Sequence, residues 1–345
     1  MIRSLLISLM AAIACTFSLQ SKVRVLSVCV GEYPHDSGWN RLGAANDSES
    51  IVSLFPQTLI LNDSKATYQA FISELGNLSE CSAVGDTVII HFSGHGQQIL
   101  TSKSSSEADH VDEAMVPYDA AKRATPSYHG QNHLTDDSFG SYVSAIRKKI
   151  GPKGLVIAVI DACHSNSMDK DADTSGDIYR GTDEIFGAES LSQDSISSLR
   201  DYYFANDHTP VAKSELLADV IFIGACETHQ RNYEIKRNGV QHGSLTYYFC
   251  KAYDEKSFSD IDGFLSTLYA EMTNDNTMQF HGQCPSIRTS FGWKSPESEK
   301  YVPQDNPTAS SVSTDKSWIW IASALGAFIA ALVSAFLIRL WKRKK

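Results

Sequence analysis

The sequence predicts an α/β fold with a mainly parallel central sheet and helices on both faces. Two observations carry this. Residues 87–92 and 155–160 are short, β-branched and almost uncharged runs, the pattern of strands buried on both sides. Stretches with helical periodicity separate such runs, and crossovers of that length join parallel neighbours.

The elements follow in order. Residues 23–30 form the first strand, 47–55 a helix, 58–61 a strand and 65–75 a helix leading to the 87–92 strand. Residues 114–118 read as a short extended segment. Residues 135–150 are amphipathic, with Phe139, Val143 and Ile146 on one face, and lead to the 155–160 strand. A late strand runs through 220–226, and Gly243 to Tyr247 open a helix that contains Cys250. Two stretches break the alternation. Residues 103–132 are polar and read as a surface excursion. Residues 165–214 form a long polar loop carrying Lys170, Arg180, Arg200 and Lys213, and loops of that length are usually functional or cleavable.

The ends differ from the middle of this 345-residue chain. Residues 1–20, with Arg3 and then an apolar run, read as a secretory signal peptide. Residues 294–316 are rich in Ser, Pro and charge and read as a stalk. Residues 317–340 include an uncharged run long enough to span a hydrocarbon core of ~30 Å, flanked by Trp318, Trp320 and Trp341. Residues 341–345 form a basic tail, which the positive-inside rule places in the cytoplasm. The expected topology is single-pass, with residues 21–293 extracytoplasmic as one catalytic domain. The whole chain carries −10, and because all forty acidic residues lie between the hydrophobic ends the ectodomain is more acidic still, which disfavours nucleic acid and anionic lipid; a monomer is expected. The seven cysteines show no CxxC pair and no disulfide framework.

His91-Phe92-Ser93-Gly94-His95-Gly96 ends one strand run and Asp161-Ala162-Cys163-His164-Ser165 ends another. A His and a Cys therefore sit just past the C-terminal ends of strands, where open α/β sheets build their active sites. A thiol becomes a strong nucleophile when a neighbouring His takes its proton. Cys163 is the expected nucleophile and His95 its general base, with no other strand-end thiol placed to replace Cys163.

These segments resemble the caspase-like cysteine peptidases, and most closely the metacaspases, whether type I-like or bacterial. The resemblance extends to Gly43-Ala44-Ala45-Asn46-Asp47, to Asp112-Glu113 with Val116-Pro117, to Asp136-Asp137 and to the late strand and helix. It departs at Ala44, where many members carry Cys. It implies a caspase-like three-layer sandwich and an endopeptidase that cuts protein substrates after Arg or Lys. It implies backbone N–H groups of Gly96 and Cys163 as oxyanion donors, and Asp47, Ser93 and Asp161 as the pocket for the basic residue at P1, the position before the cut. A carboxylate in a narrow pocket selects a cation through charge-assisted hydrogen bonds. The resemblance also implies Ca²⁺ held by Asp112, Asp136 and Asp137. A fourth acid is expected near Lys170, which is not one. Self-cleavage in the 165–214 loop is a further expectation. Two other readings stand beside this one: a catalytically silent caspase-like interaction module, and a legumain-like Cys-His hydrolase or transpeptidase.

Overall fold

The computed structural model describes residues 21–100, 111–163, 177–188, 191–192, 195, 211, 213–227 and 230–296. The expected signal peptide, transmembrane helix and basic tail, and the stalk beyond residue 296, lie outside the described residues. Among the described residues, no helix is long and apolar enough to cross a membrane.

The chain runs β1 (Val23–Cys29), α1 (Ala44–Leu54), β2 (Leu59–Asn62), α2 (Tyr68–Cys81), β3 (Thr87–Ser93), β4 (Gly96–Leu100) and β5 (Val111–Met115). It continues with β6 (Leu134–Thr135), α3 (Asp136–Ile150), β7 (Leu155–Asp161), β8 (Asp219–Gly224), β9 (Glu234–Arg237) and β10 (Val240–Gly243). Then come α4 (Ser244–Glu255), α5 (Ile261–Thr273), α6 (Asn276–His281) and β11 (Ser286–Thr289). The central sheet has the order β11-β8-β7-β3-β1-β2. Only β11 runs antiparallel to its neighbour.

Successive side chains of a strand point to opposite faces, so a run of apolar residues feeds two cores. Val88, Ile90, Val156 and Ala158 pack with Phe71 and Leu75 of α2 and with Phe139, Val143 and Ile146 of α3. Ile89, Ile157, Val159 and Ile221 pack on the other face with Ile51 of α1, Leu245 and Phe249 of α4, and Phe264 and Leu268 of α5. This is the three-layer α/β sandwich expected. Helix α3 starts where predicted because Thr135 caps it, its hydroxyl accepting from Ser138 N.

Two expectations about loops fail. The 103–132 stretch is not a plain surface excursion: β5 lies within it, paired between β4 and β6, and Val111, Ala114, Met115 and Val116 are buried. The extended segment expected at 114–118 overlaps only the last two residues of β5. Likewise, 177–188 within the expected processing loop is packed, with Tyr179 bridging to Tyr233 and Ile99 to Phe186. The β9–β10 hairpin also went unpredicted. Its two-residue turn is Asn238-Gly239, with φ 52° and 82°, as a type I′ hairpin requires.

Candidate active site

Strands β1, β3 and β7 are neighbours, and their C-terminal ends deliver the predicted residues to one edge. β1 leads through a loop to Asp47 in the first turn of α1, β3 ends at Ser93 just before His95, and β7 ends at Asp161 just before Cys163. The register pairs Ser93 directly with Asp161.

His95 is buried. Its Nε2 lies 2.9 Å from the carbonyl of Asn40. That contact suits the tautomer with the proton on Nε2, leaving Nδ1 as the basic nitrogen. Nδ1 is buried and has no hydrogen-bond partner. The ring stacks on Trp39 at 4.8 Å and sits 5.3 Å from Tyr33, while the Tyr33 hydroxyl accepts from His95 N. Burial holds the imidazole pKa down to about 3, so the ring is neutral. Asn40, Trp39 and Tyr33 were not anticipated. The only trace of them in the sequence is the pair of aromatics in the loop after β1.

Cys163 is buried too, and its thiol lies 3.5 Å from both the Tyr179 hydroxyl and the Gln230 carbonyl. Cys226 Sγ is 3.8 Å from Cys163 Sγ. A second strand-end thiol thus stands beside Cys163, where the sequence reading expected none placed to replace it. Parallel pairing of β7 with β8 brings the ends of the two strands together, and each is followed by a cysteine.

The occupant of the site is the chain's own Arg180. Its carbonyl accepts from Cys163 N at 3.0 Å and from Gly96 N at 3.2 Å, the two donors expected to hold an oxyanion. Its side chain is fully buried among the three residues predicted to line the P1 pocket. Nη1 donates to Ser93 Oγ at 2.7 Å and to the Asp161 carbonyl at 3.2 Å, and it lies 3.6 Å from Asp161 Oδ1. Nη2 donates to Asp47 Oδ2 at 2.9 Å.

A fourth pocket residue was missed. Glu234 Oε1 accepts from Arg180 Nε at 3.1 Å and Nη2 at 2.8 Å. Nothing local in the sequence marks it; the antiparallel contact of 178–180 with 232–234 places it. Asn232 Nδ2 and Thr246 brace Asp161, whose Oδ2 accepts from Thr246 N at 2.8 Å and Oγ1 at 2.7 Å. Gly243 must lack a Cβ, because one there would collide with the Asp161 carboxylate.

Three buried carboxylates face one guanidinium. Burial pushes Asp47 toward the neutral form, but Arg180 and the hydrogen bonds from its neighbours win and hold it below the usual carboxylate range. For Glu234, burial wins over Arg180 and the pKa rises. Burial likewise opposes the Arg180 charge, and Asp161, Asp47 and Glu234 more than offset it. A pocket of this kind is costly when empty, since each uncompensated buried charge costs several kcal/mol.

The expected calcium ligands are only partly assembled. Asp112 lies in β5, and Asp136 and Asp137 open α3. Asp136 is pushed up to about 7 by loss of water around its carboxyl and by Glu113, Asp112 and Asp137. It keeps open surface, which screens part of that repulsion. The charge crowding suits a cation, but among the described residues no three acidic or other ligating side chains converge on a common point. Lys170 and its flanking acids lie outside the described residues.

A parallel sheet carrying a histidine and a cysteine at neighbouring strand ends defines a caspase-like protein. The caspase domain matches residues 22–294, and the chain belongs to that family. It is 26% identical over 157 residues to metacaspase III c of Phaeodactylum tricornutum, covering 42% of this chain and 43% of that one. It is 29% identical over 94 residues to metacaspase-4 of Arabidopsis thaliana, covering 27% of this chain and 19% of that one. The matches thus span less than half the length of these curated relatives. Among solved structures, protein GSU0716 from Geobacter sulfurreducens shares the fold. Its TM-score is 0.51 at 20% identity, covering 80% of this chain and 95% of that chain.

Proposed function

We propose that this chain is a cysteine endopeptidase that cuts after arginine, and that its own Arg180–Gly181 bond is its first substrate. One observation carries the reading. Arg180 sits with its carbonyl on the Gly96 and Cys163 N–H groups and its guanidinium among Asp47, Ser93, Asp161 and Glu234. This is the pose that a P1 residue adopts before attack. A pocket lined by three carboxylates also disfavours the legumain-like alternative, which needs to hold a neutral asparagine.

The chemistry follows from these atoms. The Cys163 thiol turns from Tyr179 and gives its proton to His95 Nδ1, while Asn40 holds the other ring nitrogen. The sulfur attacks the Arg180 carbonyl carbon, and Gly96 N and Cys163 N hold the charge that forms on oxygen. The C–N bond to Gly181 breaks as His95 returns the proton to the leaving amine. Water then hydrolyses the thioester, releasing the new Arg180 carboxylate and regenerating the thiol. Departure of the cut segment frees the pocket for other substrates.

Calcium at Asp112, Asp136 and Asp137 is proposed as a modulator that would relieve the repulsion among those carboxylates, and no catalytic step depends on it. The single-pass topology with an extracytoplasmic catalytic domain is likewise proposed from the hydrophobic ends. Protease protection of the basic tail in sealed vesicles tests it.

The test of the activity is hydrolysis of peptides that differ only at P1. Arg should be cut best, Lys more slowly, and Asn and Asp not at all. Equal cutting after Arg and Asp would refute the pocket.

A further inference from the structure

The bound segment shows more than P1. Arg180 N donates to Asn232 O at 2.9 Å and Glu234 N donates to Ile178 O at 2.9 Å, so 178–180 lies as an added antiparallel strand along 232–234. Backbone pairing of this kind fixes the register of a bound peptide, and pockets for alternate side chains fix its sequence. Side chains alternate along such a strand. Arg180 enters the pocket and Ile178 keeps over a third of its surface exposed. Tyr179 and Asp177 are left for the other face.

Both meet protein there. The Tyr179 ring lies 6.1 Å from Tyr233 and under the Arg231 guanidinium, 5.3 Å away. Asp177 Oδ2 lies 2.9 Å from His281 Nε2. The His281 side chain is only 6% exposed and stacks on Tyr233 at 3.7 Å, so its ring is held in place rather than mobile on the surface. Asp177 is the fourth residue before the proposed cut, the P4 position.

The geometry points to His281 as a P4 subsite that selects acidic side chains, so that preferred substrates read acid, any residue, aromatic, arginine. This rests on the reading of Arg180 as a P1 residue. It adds a second test at the far end of the same peptide, a ring N–H that donates to a carboxylate and offers nothing to a cation. A protein segment with a carboxylate at P4 and a guanidinium at P1 satisfies both, whereas a uniformly basic segment satisfies only one.

The experiment uses the full-length chain and fluorogenic tetrapeptides ending in Ile-Tyr-Arg, with Asp, Asn, Ala or Lys at P4. In the wild type, kcat/KM should be roughly two- to fivefold higher for Asp than for Lys, the range for one partly exposed polar pair. In His281→Ala and in the milder His281→Gln, that ratio should collapse to about one. In His281→Glu it should invert. Cleavage of Arg peptides by each variant reports that it has folded. A flat P4 profile in the wild type, or a preference for Asp that survives in both neutral variants, would overturn the subsite while leaving arginine cleavage in place. Failure to cut any of the Arg peptides would overturn the P1 reading and this inference with it.

Discussion

One carboxylate oxygen of Glu234 contacts both Nε and Nη2 of Arg180, at 3.1 and 2.8 Å. Nε–H is a donor that lysine lacks at that point of its chain, so Glu234 reads the part of the guanidinium that separates arginine from lysine. Glu234→Gln should lower kcat/KM on Arg peptides by roughly ten- to a hundredfold, the range for losing one partner of a buried charged hydrogen bond. Lys peptides should suffer less. Paired kinetics on Arg and Lys substrates check this, and an equal loss on both would assign Glu234 to general support of the pocket.

Removing Arg180 should destabilise the chain rather than free it. In Arg180→Ala, the buried carboxylates of Asp47, Asp161 and Glu234 lose their shared cation. Unpaired buried carboxylates have raised pKa values. Their contribution to stability is intact below the ordinary carboxylate range and is lost as pH rises through the shifted values. The variant should therefore unfold at a lower temperature than wild type at pH 8, with the gap narrowing toward pH 5. Thermal melts in the inactive Cys163→Ala background give the comparison without self-cleavage.

Asp136 makes a prediction of the same sign from a surface position. Its folded pKa of about 7 lies above the ordinary value, so the stability its protonated form contributes is complete below about pH 4 and gone above pH 7. In EDTA, Asp136→Asn should raise Tm at pH 8 by a few degrees and change it little at pH 4. Added Ca²⁺ at pH 8 should stabilise wild type and not the variant if the proposed cation site forms. A calcium response that survives in Asp136→Asn would place the ion elsewhere.

The nearness of Cys226 to Cys163 calls for a separate control. Cys163→Ala should abolish turnover, while Cys226→Ala should keep it, because only Cys163 N shares the Arg180 carbonyl with Gly96. Turnover in Cys163→Ala that disappears in the double variant would make Cys226 a substitute nucleophile.

The sheet was legible because parallel strands buried on both faces leave long apolar runs, and those runs end at His95 and Cys163. Ser93 and Asp161 were legible at strand ends, two residues before His95 and Cys163, whereas Asp47 and the reading of all three as a pocket came from the resemblance to metacaspases. Glu234, Asn232 and His281 were not legible. They reach the site from a hairpin, its lead-in and a short helix, through tertiary pairing that leaves no local pattern. Arg180 could be named as one of four basic residues in a long loop. That it is buried, and that it plugs the pocket, depends on β-pairing with 232–234 that polarity and length do not encode. Of the small β4-β5-β6 sheet only an extended segment at 114–118, displaced from β5, was read, for a related reason. A five-residue strand in a polar stretch carries too little periodicity to stand out.

The central claim is that Arg180 is held as a substrate, and mass spectrometry of the purified full-length chain tests it most directly. The wild type should yield a fragment beginning at Gly181, and the Cys163→Ala chain should remain whole at that bond. An intact Arg180–Gly181 bond in a preparation that cuts Arg peptides, or the same cut in Cys163→Ala, would contradict the account.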